Sequence, residues 1–155
     1  MSKIAIDANL LLLLVVGKAS KNFIAKHKRL KAFTSADFDS LQSILVRASS
    51  VLITPNVATE VSNLAGFSMK EPMHSKIFAV FRDLVPKMLE HYEASQLAAE
   101  QREFNWLGLS DCAWFGALDA DTVLLTADLK LYLAALKRGL KAENFNHLRE
   151  RRGLV

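Results

Sequence analysis

Four acidic residues of this sequence occupy positions where an ionised side chain is costly. Asp7 interrupts an apolar run over residues 4–17, and Asp128 ends the apolar stretch TVLLTAD. Glu60 falls within the apolar stripe of a predicted helix, and Asp111 shares a predicted helix face with three apolar residues. An ionised carboxylate removed from water costs several kcal/mol unless it is paired or protonated. The four positions are therefore candidates for one common chemical role.

A divalent cation is the occupant that such a group of carboxylates favours. Two carboxylates about 5 Å apart repel by roughly 3 kcal/mol at an effective dielectric of about 20, so a cluster needs a cation or a proton. Mg²⁺ and Mn²⁺ prefer oxygen ligands. Each residue alone has another interpretation: Asp7 or Asp128 as a turn residue or helix cap, Asp111 as a partner of the helix dipole, or Glu60 as half of a buried ion pair. The four together favour a metal site.

Alternating strand and helix patterns predict the elements that position these residues. Short apolar strands are predicted over residues 3–6, 51–53, 122–125 and 142–145, with helical spacing between them. Strands separated by helices need crossover connections, which give a mostly parallel sheet. The predicted fold class is α/β, a three-layer α/β/α sandwich.

Capping residues predict where the helices begin. Thr34 and Asp37 form a capping box, Thr54 and Pro55 are a cap and a first-turn proline, and Ser110 is placed to cap the helix that follows it.

Two further patterns concern helices without evident chemistry. A helix from about Leu129 carries Tyr132, Leu133 and Leu136 on the same face and ends at Gly139. Apolar spacing between residues 77 and 96 predicts a helical hairpin that is broken at Pro86.

These predicted elements bring the carboxylates close to one another. Ligands of open parallel sheets bind beyond the carboxyl ends of the strands. Asp7 and Asp128 each end a strand, so we expect them at the same edge, with Asn9 capping the first helix and Thr126 nearby. Glu60 lies about one helical turn past that edge.

Composition narrows the class of protein. The chain has 155 residues, enough for one domain with a real core, and we predict a single domain over residues 1–155. Its one cysteine, Cys112, excludes an intrachain disulfide and suits a reducing cytosol. The four histidines are scattered, so any metal is expected on oxygen ligands. No stretch reaches the about 20 apolar residues of a membrane span, and we expect a soluble, cytoplasmic protein without a membrane partner.

Basic residues favour a polyanionic partner. The net charge is +4, and residues 18–31 contain no acidic side chain. Candidate RNA contacts there are Lys18, Lys28, Arg29 and Lys31. The competing interpretation is a solvated loop, together with a frayed tail for the arginines of residues 149–152.

Four stretches in this order resemble the PIN domain family of metal-dependent nucleases: IAIDANLLLLL, ITPNVATEVSNL, LGLSDCAWFGAL and VLLTADLKLYLAALKRG. The acidic residues of that family fall here on Asp7, Glu60, Asp111 and Asp128, with Asn9, Ser110 and Thr126 as supporting positions. A long basic connection over residues 17–34 departs from the family pattern.

The resemblance implies a Mg²⁺- or Mn²⁺-dependent endoribonuclease that hydrolyses RNA phosphodiester bonds by attack of water. It also implies structured or single-stranded RNA such as tRNA as substrate. Small PIN proteins are often toxins of type II toxin–antitoxin pairs, which implies a homodimer and an antitoxin protein as partners. A housekeeping RNA-processing nuclease, an antiphage effector and a catalytically idle RNA- or protein-binding module remain alternatives, and an aspartyl phosphatase is disfavoured because Asn9 stands where it would need a second Asp.

Overall fold

The computed structural model of the protein describes residues 2–153 and contains one parallel sheet. Its strands are β1 (Lys3–Ile6), β2 (Ser50–Ile53), β3 (Leu89–Glu90), β4 (Thr122–Thr126) and β5 (Ala142–Asn144). They lie in the order β3-β2-β1-β4-β5, and every neighbouring pair is parallel. In the register, Ile4 of β1 faces Val51 on one side and Val123 on the other. The predicted α/β class with a parallel sheet is confirmed.

Ten α-helices connect or follow these strands in the described part of the chain. They are α1 (Ala8–Ala19), α2 (Lys21–Ile24), α3 (Ser35–Val46), α4 (Pro55–Ala65), α5 (Met73–Leu84), α6 (Ser95–Ala99), α7 (Phe104–Leu107), α8 (Leu109–Ala117), α9 (Leu129–Lys137) and α10 (Phe145–Arg151). The chain moves from β1 to one side of the sheet and from β4 to the other. Because parallel crossovers are right-handed, the two directions place their helices on opposite faces, which gives three layers.

The apolar run that follows Asp7 forms the centre of the core. Residues 10–16 are all buried, and α1 packs against α3, α4 and α5. A helix covered by neighbours on all sides is apolar all round rather than amphipathic. In residues 2–153, no helix is both long enough and apolar enough to cross a membrane.

Several predicted helix ends are confirmed. Thr34 and Asp37 form a reciprocal capping box at α3, and Thr54 caps α4 with Pro55 in its first turn. The cap predicted at Ser110 is wrong. The helix α8 begins two residues earlier than predicted, at Leu109 after Gly108, whose φ of 84° lies in the left-handed region that glycine adopts without strain.

The predicted second helix of the hairpin, over residues 88–96, is also wrong. After a 3₁₀ turn that contains Pro86, the chain extends into β3, which pairs with β2 and adds a strand that sequence reasoning missed. The following residue, His91, donates its backbone N–H to the carbonyl oxygen of Ile53. Short apolar segments fit a strand or a helix equally well by spacing, and here pairing at the sheet edge decides the outcome.

The helix α9 begins and ends as predicted, but its leucine face points outward. Leu129, Leu133 and Leu136 are between 43% and 55% exposed, whereas Leu131 and Ala135 are fully buried against the sheet. The stripe of large apolar residues on α9 is thus a surface feature rather than part of the core.

The C-terminal arginines include one that belongs to the interior. Arg149 of α10 donates to both carboxylate oxygens of Asp37, at 2.8 and 3.1 Å, and to the carbonyl oxygen of Ala32. Asp37 is fully buried, and Arg149 is 7% exposed. The interpretation of this segment as a frayed tail is therefore wrong for Arg149, which links α10 to α3.

Candidate active site

Two of the four acidic residues cap helices directly after neighbouring strands. Asp7 follows β1 and accepts the backbone N–H of Leu10 at 3.2 Å, while Asp128 follows β4 and accepts that of Leu131 at 3.2 Å. The chain leaves β1 and β4 in opposite directions, so a crevice opens between their carboxyl ends. The expectation that Asp7 and Asp128 share one sheet edge is confirmed.

Thr126 holds these two residues together. Its hydroxyl donates to Oδ2 of Asp7 and accepts the backbone N–H of Asp128 at 3.0 Å. The backbone N–H of Ala127 donates to the same Asp7 oxygen at 3.2 Å. With three donors on its two oxygens, the buried Asp7 carboxylate has a fixed orientation.

The other two acidic residues reach the crevice from separate helices. Asp7, Glu60, Asp111 and Asp128 all line one pocket of about 190 Å³. Asp111 comes from the first turn of α8 and is partly buried, and Glu60 comes from the second turn of α4. Glu60 and Asp128 are exposed at the rim, so the expectation that all four point inward is correct only for Asp7 and Asp111.

The supporting residues differ in their roles. Asn9 and Ser110 line the pocket, but neither caps a helix, because Asp7 already caps α1 and Gly108 precedes α8. Sequence reasoning missed the apolar part of the lining, which includes Leu107 and Trp114. The helical spacing of Asp111 and Trp114 was the signal that could have placed Trp114 in the pocket.

The electrostatics of the pocket favour protonation of the Asp7 and Asp111 carboxylates when no cation is bound. Burial raises the pKa of Asp7 to about 6, against the hydrogen bonds from Thr126 and two backbone amides that lower it. Burial, and to a smaller extent the charges of Asp128, Asp7 and Glu60, together raise the pKa of Asp111 to about 7. These four carboxylates therefore interact with one another, and a positive charge in the pocket would relieve the repulsion.

The donor set suits a hard divalent cation. Carboxylates from four elements, with the amide of Asn9 and the hydroxyl of Ser110, offer oxygen atoms alone, which is what Mg²⁺ and Mn²⁺ prefer. Among residues 2–153, no group of three or more His, Cys, Asp or Glu side chains is already arranged to hold one ion. The exposed Glu60 side chain, which has no hydrogen-bond partner within residues 2–153, retains the rotamer freedom to move toward a cation.

The basic residues singled out in the sequence lie away from this pocket. Lys18 is near the end of α1, the helix that runs away from Asp7, and it lines a different cavity that also includes Val51 at the start of β2. The segment with Lys28, Arg29 and Lys31 is tied to the far end of α4, because the ring of His27 contacts the carbonyl oxygen of Ala65 at 3.0 Å. An RNA contact by these residues stays a prediction.

No protein-family model matches the chain, and no curated protein matches it.

Proposed function

We propose that the protein is a Mg²⁺- or Mn²⁺-dependent endoribonuclease whose active site is the carboxylate pocket at the ends of β1 and β4. The observation that carries this proposal is the convergence of Asp7, Glu60, Asp111 and Asp128 from four separate elements on one pocket. A cluster that raises the pKa of its own members costs stability, and a bound cation offsets that cost.

Each residue has a role that fits its position. Asp7, Asp111 and Asp128 would hold the ion, and Glu60 would bind it directly or through water. A bound divalent ion lowers the pKa of water and stabilises the negative charge on the leaving 3′ oxygen of a phosphodiester. Thr126 keeps the Asp7 carboxylate in one orientation through the hydroxyl hydrogen bond. The Glu60 carboxylate, which is exposed at the rim, would also accept the proton of an attacking water.

The negative charge of the pocket favours an enzyme over a catalytically idle RNA-binding module. Four carboxylates repel the phosphates of RNA, so the pocket opposes RNA binding until a cation is present. A module that only binds RNA gains nothing from this repulsion. We propose that the protein is the toxin of a type II pair and that it acts in the cytoplasm as a homodimer on tRNA or another RNA. An antitoxin protein would control it. A housekeeping nuclease shares the same pocket chemistry.

The test compares purified wild type with Asp7→Asn on total RNA and on isolated tRNA, each with Mn²⁺ or with EDTA. Asp121→Asn is a matched control, because Asp121 is an exposed aspartate beside the opposite end of β4. We expect discrete cuts by wild type and Asp121→Asn that need Mn²⁺ and vanish in Asp7→Asn. Equal cleavage by all three proteins, or none by wild type, would contradict the proposal. The toxin role is tested by induced expression, where only wild type and Asp121→Asn should stop growth.

A further inference from the structure

A second groove lies between α7 and α9, and each of these helices also contributes a residue to the carboxylate pocket, Leu107 in α7 and the cap Asp128 of α9. The second groove has a volume of about 420 Å³, within the range of about 300–1,000 Å³ that is typical of ligand sites. Trp106 and Leu133 provide its apolar lining, and Arg102, Lys130 and Lys137 contribute cations. Residues of the groove are close in sequence to residues of the carboxylate pocket, since Trp106 precedes the pocket residue Leu107 and Lys130 follows Asp128 by two positions.

The groove is positively charged, and its cationic side chains are largely free of acidic partners. Within residues 2–153, Lys130 and Lys137 form no ion pair, and Arg102 has only a 3.9 Å contact with Glu103. The one acidic residue of the lining, Glu103, is already paired with Arg138, which donates to its two oxygens at 2.5 and 2.7 Å. The cations therefore remain free for an anionic ligand.

An exposed tryptophan gives the groove a second kind of binding surface. Trp106 is 58% exposed, whereas Trp114, the other tryptophan of the chain, is fully buried. Flat aromatic faces stack on nucleobases regardless of base identity, and neighbouring cations bind the phosphates between them. This combination of residues suits a single-stranded nucleic acid.

Another groove, which shares Glu60 and Ser110 with the carboxylate pocket, lacks this combination. It also carries an exposed aromatic residue, Tyr92, but its lining contains two carboxylates, Glu60 and Glu93, and no lysine or arginine. The cations of the groove between α7 and α9 would attract the phosphates of RNA, whereas the carboxylates of the groove at Tyr92 would repel them.

We propose that the groove between α7 and α9 binds the single-stranded RNA next to the scissile phosphate, with a base stacked on Trp106 and the neighbouring phosphates held by Lys130, Lys137 and Arg102. This assignment rests on the proposed nuclease function and adds the surface that positions the substrate. It also assigns a role to side chains that the fold leaves exposed.

The binding test uses a fluorescently labelled 12-nucleotide oligouridylate and Asp111→Asn protein in Mg²⁺, a background that leaves the RNA intact. The single exposed tryptophan makes the experiment specific, because oligouridylate should protect Trp106 from quenching by acrylamide while the buried Trp114 gives a constant signal. In the same background, Trp106→Ala should weaken binding by about tenfold, the effect of one lost base stack. Lys130→Ala should weaken binding and reduce the slope of log affinity against log salt by about 0.7.

Lys141→Ala is the matched control, because Lys141 is an exposed lysine beside the start of β5. It lies at the amino ends of the parallel strands, whereas Asp128 lies at their carboxyl ends. The Lys141→Ala substitution should change neither affinity nor salt slope. Thermal melting of each variant checks that the fold is intact. If Trp106→Ala and Lys130→Ala fold and bind like Lys141→Ala, or if oligouridylate leaves Trp106 open to acrylamide, the proposal is overturned.

Cleavage kinetics separate this proposal from the nuclease function on which it rests. In a wild-type background, Trp106→Ala should raise KM for an RNA substrate with a smaller effect on kcat. Metal-dependent cleavage by wild type with an unchanged KM in Trp106→Ala overturns the groove and leaves the function standing. Protection of Trp106 by oligouridylate in a wild-type protein that cleaves no RNA overturns the function and leaves the groove as an RNA site.

Discussion

Replacing Asp111 by asparagine should stabilise the metal-free protein while it abolishes activity. The side chain of Asp111 is partly buried, accepts no hydrogen bond within residues 2–153, and faces the charges of Asp128, Asp7 and Glu60. Asparagine has nearly the same shape and carries no charge. The substitution therefore removes repulsion without taking an acceptor away from any donor of the protein.

The magnitude follows from the pKa of Asp111. Its rise from 3.8 to about 7 means that the folded protein holds a proton that the unfolded chain releases. Stability from this group is full below about pH 4 and is lost as the pH rises to about 7. At about 1.36 kcal/mol per pKa unit the loss is about 4 kcal/mol, and solvent screening of a partly exposed group reduces it to ~2 kcal/mol. The melting temperature of Asp111→Asn should thus exceed that of wild type by about 4–8 °C at pH 8.

Thermal melts in EDTA at pH 4, 6 and 8 measure this effect. The difference between Asp111→Asn and wild type should be near zero at pH 4 and should grow up to pH 8. Added Mn²⁺ should stabilise wild type, by about 2.7 kcal/mol at 100 times the dissociation constant, and should stabilise the variant less. An asparagine variant that melts at or below the wild-type temperature at pH 8 in EDTA would refute the account of a repelling carboxylate cluster.

Other substitutions test the pocket and the core separately. Asp128→Asn keeps the cap of α9, because an amide oxygen still accepts the backbone N–H, but cleavage should fall on the order of 100-fold; loss of helicity in circular dichroism would show that the residue is structural instead. Arg149→Ala leaves Asp37 buried without its partner and should lower the free energy of unfolding by about 3–5 kcal/mol in urea titration; a cost below about 1 kcal/mol would contradict a buried pair. Gly17→Ala places a Cβ against the ring of Phe38 and should cost about 1–3 kcal/mol, whereas a neutral effect would show that the ring moves freely.

Much of the fold could be predicted because local signals agree with the tertiary structure. The first strand was predicted with the bounds it has, and Thr34, Thr54 and Pro55 mark helix starts by chemistry that needs no tertiary contact. The short strand β3 escaped prediction, since two exposed edge residues carry no alternation and owe their conformation to pairing with β2.

The site could be predicted as a set of residues but not as a geometry. Asp7 and Asp128 follow strands, and parallel topology alone brings them to one edge. The exposure of Glu60 depends on how α4 turns relative to the pocket, which helical spacing does not specify. The groove beside Trp106 was missed because the outward leucines of α9 resemble a buried stripe. In addition, Arg102 and Trp106 are distant in sequence from the lysines of α9.

The most direct test of the central claim is end-group analysis of RNA cut by the wild-type protein in Mn²⁺, with Asp111→Asn and EDTA as parallel samples. Attack by water activated in the carboxylate pocket predicts products with a 5′-phosphate and a 3′-hydroxyl, formed only by wild type and only with the metal ion. Products with a 2′,3′-cyclic phosphate, or cleavage that persists in Asp111→Asn and in EDTA, would contradict it.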